Sequence, residues 1–274
     1  MKYCFILKKK ATWKRGRNLM DQLLRHCITL AKQAGKAVME VYDSGDFEVE
    51  TKADNTPLTK ADKIANEIIV DGLKKYSGYP IISEEGAQDA EVGNTFWLVD
   101  PIDGTKDFIK RTGEFTINIG LIQDGKPVLG VVYVPAQKVT YFGAVEAGAF
   151  KQEGDHEPVR MTAEFTGSVP VVVSHNKMED ELKEYLSRIG EYTMMEVGSS
   201  IKFCLVAEGT AAVYPRFYGS YLWDTAAADA ILRAAGGMIT DDKGQELTYD
   251  PEHSLQNPYL IASAKNWHPE AASR

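Results

Sequence analysis

The chain has 274 residues, 44% of them hydrophobic and 26% charged, enough for one large domain or two medium ones around a sizeable core. Its net charge of −8 disfavours nonspecific nucleic-acid binding, which needs a basic surface. No apolar run approaches the roughly 20 residues that span a bilayer, and three scattered cysteines without a CxxC pair argue against a zinc knuckle or a thioredoxin-type centre and fit a reducing cytoplasm.

Residues 1–19 carry seven Lys/Arg and no acid, which leaves −15 for the rest (−8 minus 7). The apolar stretch Tyr3–Leu7 is too short for a secretion signal, and no small-residue cleavage site follows it. Three readings compete: a disordered basic arm, an upstream extension from a wrong start codon, and a tag for peripheral contact with the cytoplasmic face of an anionic membrane. Residues 20–42 read as an amphipathic helix, with Leu23, Cys27, Leu30, Ala31, Ala34, Val38 and Val41 at helical spacing. The DSGD stretch at 43–46 ends it. A second helix is expected over 59–76, preceded by Pro57 and opened by a Thr59–Asp62 capping box.

PIIS at 80–83 and FWLV at 96–99 read as short buried strands. From 115 to 150 the pattern is an antiparallel meander, with a hairpin signal at Asp124-Gly125. Residues 151–168 are polar and suit a junction, dividing the chain into 20–155 and 156–274. Beyond it strands and helices alternate: a strand at 169–174, helices at 178–189 and 198–209, a strand at AAVYP, a helix at 223–235 and a strand at 236–240. Such alternation predicts an α/β layer.

Four acidic pieces stand at the ends of these elements. In FWLVDPIDGTKDF a buried strand runs into Asp100 and Asp103, and carboxylates at a strand end sit at the rim of a sheet, where α/β folds place their sites. Two carboxylates forced together repel, and a hard cation removes that cost. SEEG at 83–86 follows another short strand and offers Glu84. WDTAA puts Asp224 in the first turn of a helix, and LTKAD puts Asp62 in a capping position. Each piece has a plain structural reading as well: a turn cap, a solvated pair, a helix-dipole partner. Their combination points to metal chemistry.

On these segments the chain resembles the inositol-monophosphatase-like superfamily of metal-dependent, lithium-sensitive phosphatases. Within it, ADNTPLTKAD, GSSIKFCLVAEG and YPRF are similar to the bisphosphate nucleotidase group. The resemblance covers about residues 20–265. It implies an α/β (α+β) fold, a layered α-β-α-β-α sandwich of the type shared with fructose-1,6-bisphosphatase. It implies two or more Mg²⁺ ions held by Glu84, Asp100, Asp103, Asp224 and the carbonyl of Ile102. It further implies hydrolysis of adenosine 3',5'-bisphosphate, a by-product of sulfate assimilation, with Asp62 and Thr105 relaying a proton from water. Backbone amides of Gly104 and Thr105 would bind phosphate. A substrate with two phosphates needs a second anion site, for which Lys202 and Arg216 are the candidates, with Ser199 and His175 near them. Glu84, Ile102, Asp103 and Asp224 would also face the substrate. Two other readings stay open: an inositol- or sugar-phosphate phosphatase, and a non-catalytic metal-binding regulator. Oligomeric state is not legible.

Overall fold

The periodic positions of the first helix are all buried. In a computed structural model, helix α1 (Lys2–Ser44) turns Leu23, Cys27, Leu30, Ala31, Ala34, Val38 and Val41 inward. The structure describes residues 2–52, 56–86, 92–175 and 178–267, with side chains from Leu19 onward. Residues 2–19, expected as a disordered arm, form the first turns of α1. They contain no proline and several Lys and Arg, so they can extend a helix already nucleated downstream.

A two-residue ribbon, β1 (Glu50–Thr51) with β2 (Pro57–Leu58), leads into α2 (Lys60–Tyr76). Ala53, Asp54 and Asn55 of the ADNTPLTKAD segment lie outside the described residues. A seven-stranded sheet follows in spatial order β3 (Ile81–Ser83), β4 (Thr95–Asp103), β5 (Thr116–Gln123), β6 (Lys126–Val134), β7 (Val139–Ala144), β8 (Gly148–Glu153) and β9 (Val159–Met161). Only β3 and β4 pair in parallel. Short helix α3 (Thr105–Lys110) interrupts the path from β4 to β5. Strand β9 lies beyond the junction drawn at 155 yet still belongs to this sheet, so the change of sheet falls between residues 161 and 169.

The second sheet has the order β11 (Tyr192–Glu196), β10 (Val169–Val173), β12 (Val213–Arg216), β14 (Leu260–Ser263) and β13 (Met238–Asp241). Helices α4 (Asp180–Ser187), α5 (Ile201–Ala207) and α6 (Leu222–Ala234) connect its strands. Strands β11, β9 and β14 and helix α3 have no clear periodicity in the sequence.

The layering follows from side-chain alternation. Trp97 and Val99 of β4 pack with α1 and α2, while Phe96 and Leu98 pack with α5, α6 and the second sheet. Helix α6 lies directly on the first sheet because Gly120 and Gly130 carry no side chain there. A Cβ at Gly130 would stand 1.9 Å from the Ala227 carbonyl oxygen. With Leu182 and Leu186 of α4 buried in the core shared with the second sheet, the stack is the expected α-β-α-β-α sandwich.

Candidate active site

Strand β4 delivers the two central carboxylates through an irregularity. Asp100 pairs with Asn118 and Asp103 with Thr116, so three steps on β4 oppose two on β5. In a regular strand residues three apart point to opposite faces; the extra residue, at a proline that has no N–H to give the ladder, lets both face one cavity. Gly104 then takes φ +92, and a Cβ on it would approach the Glu114 carbonyl oxygen to 3.0 Å. Thr105 follows as the first residue of α3.

Three neighbouring elements bring the other acids. Glu84 extends the parallel pairing of β3, its N–H donating to the Val99 carbonyl at 3.1 Å. Its carboxylate is drawn aside by Lys52, whose Nζ lies 2.7 Å from Glu84 and 2.5 Å from Glu85. Asp224 caps α6 by accepting the Tyr221 N–H at 3.0 Å. Asp62 caps α2 with one oxygen, Oδ2, which accepts the Thr59 N–H at 2.7 Å. Its other oxygen, Oδ1, faces the Thr105 hydroxyl at 3.4 Å, and that hydroxyl also donates to the Ile102 carbonyl at 3.1 Å.

Glu84, Asp100, Ile102, Asp103, Gly104, Thr105, His175, Ser199, Lys202, Arg216 and Asp224 all line one cavity of about 400 Å³. Every predicted site residue except Asp62 therefore meets there, and Asp62 stands directly behind Thr105. A larger cavity of about 680 Å³ between α4 and the β13–β14 edge holds none of them. Among the described residues, no three acidic, histidine or cysteine side chains already close round a point as a finished metal shell. Glu84 is held off by Lys52, and Asp224 by its capping bond.

Repulsion and burial mark the acids as an unpaired cluster. Burial, then Glu84, Asp103 and Asp224, push Asp100 well above the usual carboxylate range. Burial also raises Asp103, against the opposing pull of Lys202 and Arg216. Burial and the charge of Asp103 lift Asp224 to about 7, and burial raises Asp62. Asp100 Oδ1 is buried with no hydrogen-bond partner among the described residues. Four carboxylates with an orphaned oxygen and no soft donor suit a hard, oxygen-loving cation, so the residues present fit magnesium.

The opposite wall is cationic. Lys202 is buried, its Nζ donating to the carbonyls of Val197 at 3.2 Å and Ser199 at 2.6 Å. Burial brings its pKa down to about 8. Arg216 donates to Tyr214 Oη at 3.3 Å and to the Gly219 carbonyl at 2.8 Å, sits over the Tyr218 ring, and lies 3.9 Å from Asp224. Its Nε is buried without a partner among the described residues. His175 meets Glu114 at 2.6 Å. Ser199 belongs to the expected helix over 198–209, but α5 starts only at Ile201: Ser199 takes φ +50, so Gly198–Ser200 form a turn into the cavity. Sequence reasoning missed Lys52, Glu114 and Tyr218, which no periodic pattern marks.

The inositol monophosphatase family model matches residues 19–274. The 3'(2'),5'-bisphosphate nucleotidase CysQ of Escherichia coli is 47% identical over 247 residues, covering 88% of this chain and 97% of that protein. CysQ of Haemophilus influenzae is 32% identical, covering 89% and 93%. The crystal structure of CysQ from Bacteroides thetaiotaomicron superposes with a TM-score of 0.80 at 40% identity, over 90% of this chain and 98% of that one. An IMPase from Thermotoga maritima superposes at 0.75 with 28% identity, over 92% and 96%. With the carboxylate cluster, the Asp62–Thr105 pair and the layered fold in place, these matches show that the chain is a phosphatase belonging to the inositol monophosphatase family.

Proposed function

We propose that this phosphatase is a magnesium-dependent 3'(2'),5'-bisphosphate nucleotidase that converts adenosine 3',5'-bisphosphate to AMP and phosphate. One observation carries the reading: a single cavity brings Glu84, Asp100, Asp103 and Asp224 together with the cations Lys202 and Arg216. A monophosphate needs only the metal side. A second phosphate gives the cationic wall its purpose.

Magnesium ions, two or more, held by Glu84, Asp100, Asp103, Asp224 and the Ile102 carbonyl would neutralise phosphate charge and activate water. The chain's own groups do the rest. Asp62 takes up a proton at Oδ1 through the Thr105 hydroxyl. Because Thr59 pins Oδ2, the receiving oxygen keeps its aim. Burial raises the affinity of Asp62 for that proton, as a proton acceptor requires. The first amides of α3, beginning at Gly104 and Thr105, have no intrahelical acceptor and offer themselves to phosphate oxygens. Arg216, whose Nε has no partner among the described residues, holds the second phosphate together with Lys202. Ser199 and His175 line the same cavity beside them.

The reading is tested by phosphate release from adenosine 3',5'-bisphosphate beside inositol 1-phosphate, with Mg²⁺ and with added Li⁺. Preference for the bisphosphate and loss of turnover in Li⁺ are expected. Preference for inositol 1-phosphate would transfer the chain to the inositol phosphatases. The intact Asp62–Thr105 pair speaks against a non-catalytic regulator.

A further inference from the structure

Glu114 lies in the loop between α3 and β5, and a single oxygen of its carboxylate serves two parts of the opposite sheet. Oε2 stands 2.6 Å from His175 Nε2 at the end of β10 and accepts the Gly198 N–H at 2.7 Å. The other ring nitrogen of His175 lies 3.5 Å from Glu196 Oε2. A neutral imidazole has one N–H and can donate to only one of these carboxylates, whereas the protonated ring donates to both.

The Gly198 turn is itself a junction. A Cβ on Gly198 would come within 2.9 Å of the Glu114 carbonyl and of Asp107 Oδ2, so only glycine lets the loops meet so closely. Lys202 ties the same turn through the Val197 and Ser199 carbonyls. The Ser200 N–H donates to Asp103, and the Ser200 hydroxyl meets Thr116 and Asn118 at 2.8 Å each. Glu114 thus fastens the turn that carries Ser199 and sets His175 beside it.

We propose that Glu114 is a positioning residue for the second anion subsite, holding the Gly198 turn in place and fixing the His175 ring between two carboxylates for a doubly phosphorylated substrate. The proposal rests on the nucleotidase reading. The groups around His175 support it. Glu114, Glu196 and Asp107 all favour the charged ring, with Glu114 the largest influence, and they raise its pKa. Lys202 and Arg216 stand in the same cavity and add to the positive wall.

The test is steady-state kinetics of E114Q between pH 6 and 8, on adenosine 3',5'-bisphosphate and on p-nitrophenyl phosphate, with the His175 ring titrated by NMR. Glutamine keeps an acceptor for Gly198 but removes the charge. The His175 titration should move to lower pH. KM for the bisphosphate should stay near wild type at pH 6 and rise roughly tenfold by pH 8, with a smaller rise for the aryl phosphate. E114A, which also frees the turn, should raise the bisphosphate KM at both pH values. An unmoved His175 titration, or an equal and pH-independent change on both substrates, would overturn the proposal. A wild type without preference for the bisphosphate would overturn the nucleotidase reading instead, and this role with it.

Discussion

The two walls of the cavity are built in opposite ways. The acidic wall comes mainly from the first sheet, where Asp100 and Asp103 lie on a nine-residue strand buried on both faces. The cationic wall comes from the second sheet, from a turn at Val197–Ser200, the end of β12 and the end of β10. Carboxylates on a rigid strand repel one another and call for a cation. Lys202 in the first turn of α5 and Arg216 at the end of β12 are held by carbonyls, a tyrosine hydroxyl and a ring, and can still meet an anion. The two halves thereby bring opposite charges to one cavity.

Breaking the acidic wall should have the largest effect. Asp103→Asn should lower phosphate release more than about 100-fold, beyond what loss of an outer-shell partner costs. Its circular dichroism should stay like wild type and its Mg²⁺ affinity should fall by calorimetry. Wild-type turnover would dissolve the contrast between the walls. Thr105→Ala removes the hydroxyl between Asp62 and the cavity without touching a carboxylate. It should cut kcat by about 10²- to 10⁴-fold while Mg²⁺ binding changes little; loss of metal binding instead would make Thr105 part of the metal wall.

The cationic wall should respond differently. Arg216→Ala should raise KM for adenosine 3',5'-bisphosphate roughly tenfold or more. Because Arg216 also lies 3.9 Å from Asp224, some loss on a simple monophosphate is expected too, but a smaller one. Equal losses on both substrates would show that the arginine serves the metal side alone. The smallest effect belongs to residues outside both walls. Removing residues 1–18, which precede the family match, should leave turnover unchanged in the same assay.

Much of this architecture is legible in residue order. The apolar spacing of residues 23–41, the Thr59–Asp62 capping box and the meander read over 115–150 depend on local patterns, and the structure has each of them, the meander as β5 to β8 over 116–153. Elements that lack such signals were not legible. Strand β11 is exposed along most of its length, so no hydrophobic alternation marks it. The turn at 198–200 reads as helix because the residues after it are helical; contact with Glu114 and Asp103 holds it otherwise.

The site divides in the same way. Glu84, Asp100, Asp103 and Asp224 stand out in the sequence as four acidic pieces at the ends of elements, each with a plain structural reading of its own and only in combination a pointer to metal chemistry. Their convergence required a bulge that only strand pairing reveals. The sequence by itself determined most helices and strands, the Thr59–Asp62 helix cap and the identity of the acidic segments, because these depend on neighbours within a few positions. Only the tertiary structure decided that Lys52 draws Glu84 aside, that Asp62 keeps one oxygen for Thr105, and that Glu114 reaches His175. Those contacts join residues 32 to 61 positions apart, and their energies depend on burial and charge that no single segment carries.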